Sequence, residues 1–186
     1  MPDQPTALEY ALLGLLLQQP ASGYQLRRTF AATPMGHHSD SPGSIYPALK
    51  RMTRRGWIKP APPSPAANGR GTQVLAPTQR GRAAMSALCR RPIERHEVMH
   101  AMESLWLRFV YAAALLDVTE LRAFIERLRN AVREYLTELR AYYRQHAKSL
   151  PPAGQIALSA GIAIYETQAR VIDRARRHYS KEGSKP

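Results

Sequence analysis

Ser41-Pro42-Gly43-Ser44-Ile45-Tyr46-Pro47-Ala48-Leu49-Lys50-Arg51-Met52 is the stretch on which the fold turns. Ile45, Ala48, Leu49 and Met52 recur at i, i+3, i+4 and i+7, the core stripe of an amphipathic helix. Ser44, Lys50, Arg51, Arg54 and Arg55 fall largely outside that stripe. Pro47 has no backbone N–H to donate, so it is best tolerated among the first four helix donors, which places the expected N-cap near Gly43 or Ser44. A cap hydroxyl and free N–H groups at the positive end of a helix suit a phosphate, and the basic face beside them suits DNA.

Working outward, Thr6–Gln18 reads as a first helix. Leu8, Ala11, Leu12, Leu15 and Leu16 form its buried face, Thr6 and Glu9 fit a capping box, and Pro20 stops it. Ser22-Gly23-Tyr24-Gln25-Leu26 starts a second helix that runs to about Ala32 with Leu26 and Phe30 inward. Thr33–Asp40, with the solvent-facing pair His37-His38, is a loop. The third helix ends at Gly56, a good C′ residue. Trp57-Ile58-Lys59 and Gln73-Val74-Leu75-Ala76 can pair as strands around a Pro- and Gly-rich loop carrying Arg70, and Thr78 caps a fourth helix, Gln79–Arg90. Three helices and then a two-stranded ribbon with a basic tip is the order of a winged helix-turn-helix. The expected fold class is therefore mainly α, with residues 1–91 as a winged helix DNA-binding domain.

Pro92 marks the expected boundary, and residues 92–186 read as an all-helical dimerisation domain: Ile93–Leu116, Thr119–Lys148 and Gly154–Ser180. The second of these carries a sustained stripe, Leu121, Phe124, Ile125, Leu128, Val132, Tyr135, Leu136, Leu139 and Tyr143. The third carries Leu158, Ile162, Tyr165, Ala169, Ile172 and Tyr179. Three long helices cannot readily bury all these stripes within one chain, so a homodimer is expected.

Composition agrees with a polyanion partner. The 27 Lys and Arg against 14 Asp and Glu give +13, of which residues 1–91 hold +9 and residues 92–186 only +4. A surplus concentrated in one half is an electrostatic footprint for nucleic acid. Cys89 is the single cysteine, so no intrachain disulfide is available. No basic residue precedes the first apolar stretch, which reads against a signal peptide, and the apolar runs Ala11–Leu17 and Val110–Leu116 are too short to span a bilayer. The expectation is a cytoplasmic protein that does not engage membranes.

These motifs together resemble the PadR family of transcriptional regulators. The resemblance is carried by Ala11-Leu12-Leu13-Gly14-Leu15-Leu16, Ser22 through Leu26, Ser41 through Met52, Gly56-Trp57-Ile58 and Thr78…Gly81. It covers residues 7–82, while the C-terminal half matches the longer-tailed subgroup by length and helicity alone. It implies a homodimeric repressor on palindromic operator DNA, with C-terminal helices that dimerise and sense a small ligand. Position by position it implies that Ser44, Tyr46 and Lys50 lie nearest the DNA, that Tyr24 and Gln25 touch the backbone, and that Arg70 reaches a minor groove from the wing. The helical face adds Arg51 and Arg54. Tyr46 stays open between a DNA contact and a half-buried packing role, and Lys50 or Arg51 could read a guanine or hold a phosphate. Three departures stand out: Thr53-Arg54-Arg55 makes the end of the third helix unusually basic, Pro77 is expected to shorten the second wing strand, and the wing loop is Pro-rich and lacks the usual cluster of charges around Arg70.

Two further sites call for weighing. Trp106, Phe109 and Tyr111 lie on the first long helix and could form a platform for a small aromatic effector, or simply pack in the core. His96-Glu97-Val98-Met99-His100 matches H-E-x-x-H, which would make His96 and His100 zinc ligands and Glu97 a general base, with Glu120 as a third ligand, in a hydrolase or a metal-responsive regulator. Glu94 and Arg95 crowd that motif, and Glu103 stands where the longer zinc-protease pattern wants Gly, so neither enzyme activity nor a cofactor is expected. Cys89, flanked by arginines, is either a reactive thiolate or a small buried residue. Binding through charge alone, as in a nucleoid-like or RNA-binding protein, is a third class, and competition by random DNA would separate it from operator recognition.

Overall fold

The computed structural model describes residues 5–32, 42–61 and 73–181. The expected loop with His37 and His38, and the wing tip with Arg70, lie outside the described residues. The chain divides into two compact units between Leu88 and Cys89.

In the first unit, helix α1 (Ala7–Gln18) starts at the Thr6 cap, where a full capping box forms with Glu9. Pairing of α1 with its neighbours buries Ala11, Leu12, Leu13 and Leu16. Strand β1 is only Ala21–Ser22, and α2 (Gly23–Ala32) follows at once. Ser22 and Gln25 form a second reciprocal cap: the Ser22 amide donates to Gln25 Oε1 at 2.8 Å, and the Gln25 amide donates to Ser22 Oγ at 3.2 Å. An N-cap residue has extended backbone angles, so Ser22 can pair with a strand while it starts a helix.

Helix α3 spans Pro42–Arg54, so it begins before the expected cap at Gly43 or Ser44, and Pro47 lies inside it rather than among its first four donors. It ends in a Schellman motif. Gly56 takes φ 68°, its amide donates to Thr53 O at 2.9 Å, and the Trp57 amide donates to Met52 O at 3.0 Å. The Trp57 N–H is thereby committed, and β2 starts one residue later, at Ile58–Pro60. Strand β3 (Val74–Pro77) lies between β1 and β2, antiparallel to both. The ribbon is thus three-stranded, not two; a two-residue strand has no alternation to read in sequence.

Pro77 does not shorten β3. It pairs opposite Ile58, and β1 reaches only Val74 and Leu75, so no ladder bond on the other side needs a proline N–H. Thr78 then caps α4 (Gln79–Arg90), accepting from the Gly81 amide at 3.1 Å while its hydroxyl donates to Gly56 O at 2.5 Å. Leu12, Leu13, Leu16, Leu26, Phe30, Ile45, Met52, Ile58 and Met85 close the core. Each large apolar side chain sealed this way contributes roughly 1.5–3 kcal/mol before entropy is counted.

The second unit is helical throughout its described residues: α5 (Arg95–His100), α6 (Met102–Leu115), α7 (Val118–His146), a 3₁₀ turn (Ala147–Ser149) and α8 (Pro152–Lys181). The helix expected over Ile93–Leu116 is broken at Ala101, which has φ −143°. A break leaves carbonyls without amide partners, and the Tyr165 hydroxyl from α8 supplies one, donating to Val98 O at 2.8 Å. Helix α7 buries Leu121, Phe124, Ile125, Leu128, Val132 and Leu136, as its stripe predicts. Helix α8 pairs along α7 but buries only Ile172 of its stripe; Leu158, Ile162, Tyr165, Ala169 and Tyr179 are half-buried.

Candidate nucleic-acid interface

Helix α3 sets the site, and α1 and α2 hold it. Ile45, Ala48, Leu49 and Met52 face the core, which turns Tyr46, Lys50 and Arg54 to solvent on one side; Ser44 is half-buried. Tyr46 is 49% exposed, and its ring lies over Gly23 at the start of α2, where a Cβ would come within 2.8 Å of the ring. The packing and contact roles left open for Tyr46 are therefore compatible: one edge packs on α2 and the other faces out.

Tyr24 is 55% exposed beside the same surface, with the Arg27 guanidinium 5.7 Å from its ring centroid. Gln25 is exposed, but its side-chain carbonyl is committed to the Ser22 cap, which leaves its amide nitrogen as the group it can offer. Arg70 lies outside the described residues.

Arg51 departs from the expectation that groups it with Lys50 and Arg54. Its Nε donates to Glu9 Oε1 at 2.7 Å, while Arg55 Nη1 donates to Glu9 Oε2 at 2.9 Å and stacks 4.8 Å over the Trp57 ring. Glu9 is fully buried and also accepts the Thr6 amide at 2.9 Å. Burial alone would raise its pKa, but the Thr6 amide, the Arg51 hydrogen bond and the charges of Arg55 and Arg51 outweigh it, holding the carboxyl below its ordinary value. The sequence marks Glu9 only as a capping-box residue. Its pairing with a helix more than forty residues later leaves no local signal.

The H-E-x-x-H segment is organised around ion pairs. Glu97 accepts from Arg91 Nη2 at 2.5 Å, caps the Glu94 amide at 2.9 Å and lies 3.7 Å from Arg108. Glu120 is held by two bonds from Arg90 at 2.6 and 3.0 Å, and His96 and His100 are exposed. Among the described residues no three His, Cys, Asp or Glu are grouped to hold a metal ion. Each carboxylate that zinc chemistry would require thus already serves an arginine.

Trp106, Phe109 and Tyr111 do not form one platform. Trp106 donates through Nε1 to Gln168 at 2.8 Å and meets Phe109 edge-on at 6.0 Å; Phe109 in turn stacks on Phe124 and meets Tyr179. Tyr111 is buried, and burial drives its hydroxyl pKa upward. A groove of about 540 Å³ between α7 and α8 is lined instead by Arg133, Arg140, Glu166, Arg170 and Asp173. Cys89 is buried in the second unit, its Sγ 3.7 Å from Arg108 O.

A three-helix unit with an antiparallel wing, whose third helix turns a tyrosine, a lysine and an arginine to solvent, is a winged helix-turn-helix domain. Residues 12–87 match the model of the Transcriptional regulator PadR-like family. Among solved structures the chain is similar to a PadR-like transcriptional regulator from Bacillus cereus, at 22% identity and TM-score 0.40 over 96% of this chain and 99% of that one. It is also similar to Bacillus subtilis PadR in complex with operator DNA, at 18% identity and TM-score 0.42 over 95% and 99%. A third is Bacillus subtilis PadR in complex with p-coumaric acid, at 19% identity and TM-score 0.40 over 97% and 99%. No curated protein matches the chain. Among the described residues no helix is long and apolar enough to cross a membrane.

Proposed function

We propose that this protein is a cytoplasmic, homodimeric repressor that binds palindromic operator DNA through α3 and is released by a small-molecule effector. The carrying observation is the outward face of α3, where Tyr46, Lys50 and Arg54 share one side and, among the described residues, neither cation has an ion-pair partner. On this reading α3 enters the major groove with Ser44, Tyr46, Lys50 and Arg54 toward the duplex, and Tyr24 and Gln25 meet the backbone at the start of α2. Arg70 extends from the wing. Arg51 is not assigned to the duplex, because Glu9 holds its guanidinium. Residues to about 91 bind DNA, and the helices beyond pair two chains, so two copies of α3 meet successive turns of the duplex.

The test is site selection from a random duplex pool, followed by titration of the selected site. Lys50→Ala and Arg54→Ala should each weaken operator binding by about 1–3 kcal/mol where the side chain reads a base. Where it holds a phosphate, affinity falls equally on all sequences and the salt slope drops. Unchanged binding after both substitutions would remove α3 from the interface. The same titration carries the effector arm. Phenolic and cationic aromatic compounds that release DNA should also quench Trp106, half-buried beside Phe109, and no response across a broad panel would assign that cluster to packing alone.

A further inference from the structure

Helix α3 and the residue after it place four cations within six residues, Lys50, Arg51, Arg54 and Arg55, a density expected to bind any duplex. The structure divides them. Lys50 and Arg54 are exposed, whereas Arg51 and Arg55 converge on the buried carboxylate of Glu9 from α1. We infer that Glu9 is a specificity-determining positioning residue, which withholds the Arg51 and Arg55 guanidiniums from DNA phosphates so that sequence-independent binding stays weak.

This rests on the reading of α3 as the DNA-contacting helix. The physical argument is one of competing partners. A long cationic side chain on the flank of a groove-binding helix can swing to a phosphate on any sequence, which adds affinity without discrimination. Specificity is the difference between operator and random affinity, so every such contact lowers it. For Arg51 to leave Glu9, however, a fully buried carboxylate must give up its 2.7 Å charged donor and leave Oε1 without it, a cost that opposes the gain from a solvent-screened phosphate contact. Arg55 is held more firmly still, by Glu9 at 2.9 Å and by the Trp57 ring at 4.8 Å. The unusually basic end of α3 is thereby prevented from acting as a general phosphate clamp.

The experiment measures operator and random-duplex affinity across a salt series for the full-length wild type, Glu9→Gln and Arg51→Gln, with the operator selected by the wild-type protein. Glu9→Gln should bind random duplex more tightly, with the logarithmic salt slope steeper by about 0.9 for each guanidinium released, and its operator-to-random ratio should fall. Arg51→Gln should leave slope and ratio at wild-type values, because that side chain is withheld already. A purely structural role for Glu9 would lower the melting temperature and weaken all binding alike with no change of slope, and that result overturns the inference. So does an Arg51→Gln slope shallower by about 0.9, a measurement that stands even if Glu9→Gln fails to fold. If the wild type itself shows no preference for any selected sequence, the DNA-recognition reading fails and this inference falls with it, an outcome separate from the other two.

Discussion

Cys89 shows how one side chain can be steered by surroundings that pull in opposite directions. Burial pushes its thiol pKa up to about 11, against the charges of Arg108, Arg90 and Arg127, which lower it. Three arginines nearby would normally mark a reactive thiolate, but desolvation wins and the thiol is neutral at pH 7. The expected outcome is that a thiol reagent such as DTNB does not label Cys89 in the native protein at pH 8 but labels it fully on unfolding; rapid native labelling would contradict the burial argument. The linkage has a definite sign. Between the ordinary thiol pKa of 9.0 and about 11 the unfolded chain has released a proton that the folded chain keeps, so Cys89 lowers stability as pH rises through that window. At the same scale, Glu9 acts at the acid end. Its folded pKa is depressed, so its contribution is intact above the unfolded value of about 4.5 and is lost as pH falls below it.

At the scale of elements, the first unit is joined at the α3–β2 corner. Gly56 must take a left-handed conformation to end α3, the Thr78 hydroxyl reaches back to Gly56 O, and Gly81 lets the first turn of α4 lie directly on the Trp57 carbonyl. A Cβ on Gly81 would overlap that carbonyl oxygen, a backbone atom that no rotamer change can move. Gly81→Ala should therefore destabilise the protein by about 1–3 kcal/mol, read as a lower denaturant midpoint, the range expected of overpacking in a closed site. A midpoint equal to wild type would mean that the contact of α4 with the Trp57 carbonyl is looser than the geometry shows. Much of this corner was legible in sequence, since Gly56, Thr78 and the α4 span each have local signals. The third strand and the break at Ala101 were not. Ala21–Ser22 counts as a strand only because Val74 and Leu75 lie beside it, and the Val98 carbonyl is satisfied by Tyr165, far along the chain.

At the scale of the whole molecule, α8 carries the face that the proposed dimer would use. Its inner side pairs with α7 through Arg129 and Arg133 on Asp173 and Arg140 on Glu166. On its outer side Ile156 is 69%, Ile164 58% and Val171 40% exposed, at near-heptad spacing along one stripe. Such a stripe on a long helix suits a second copy of the same chain, as the proposed dimer requires. Ile164→Glu combined with Val171→Glu should give a folded monomer by light scattering, with operator affinity reduced at least tenfold as the second half-site contact is lost. A double variant that remains dimeric would place the interface on another face.

Local signals settled where most helices begin and end, which faces point inward, and that the positive surplus sits in the N-terminal half. Those properties follow from caps, periodicity and composition, all of which act over a few residues of chain. Tertiary structure alone decided which cations of α3 pair with Glu9, that Glu97 and Glu120 pair with arginines, and that Trp106 and Phe109 join an aromatic cluster. Each of these turns on a contact between side chains tens of residues apart, and at that separation a periodic pattern carries no information about which opposite charge or ring a given side chain will meet.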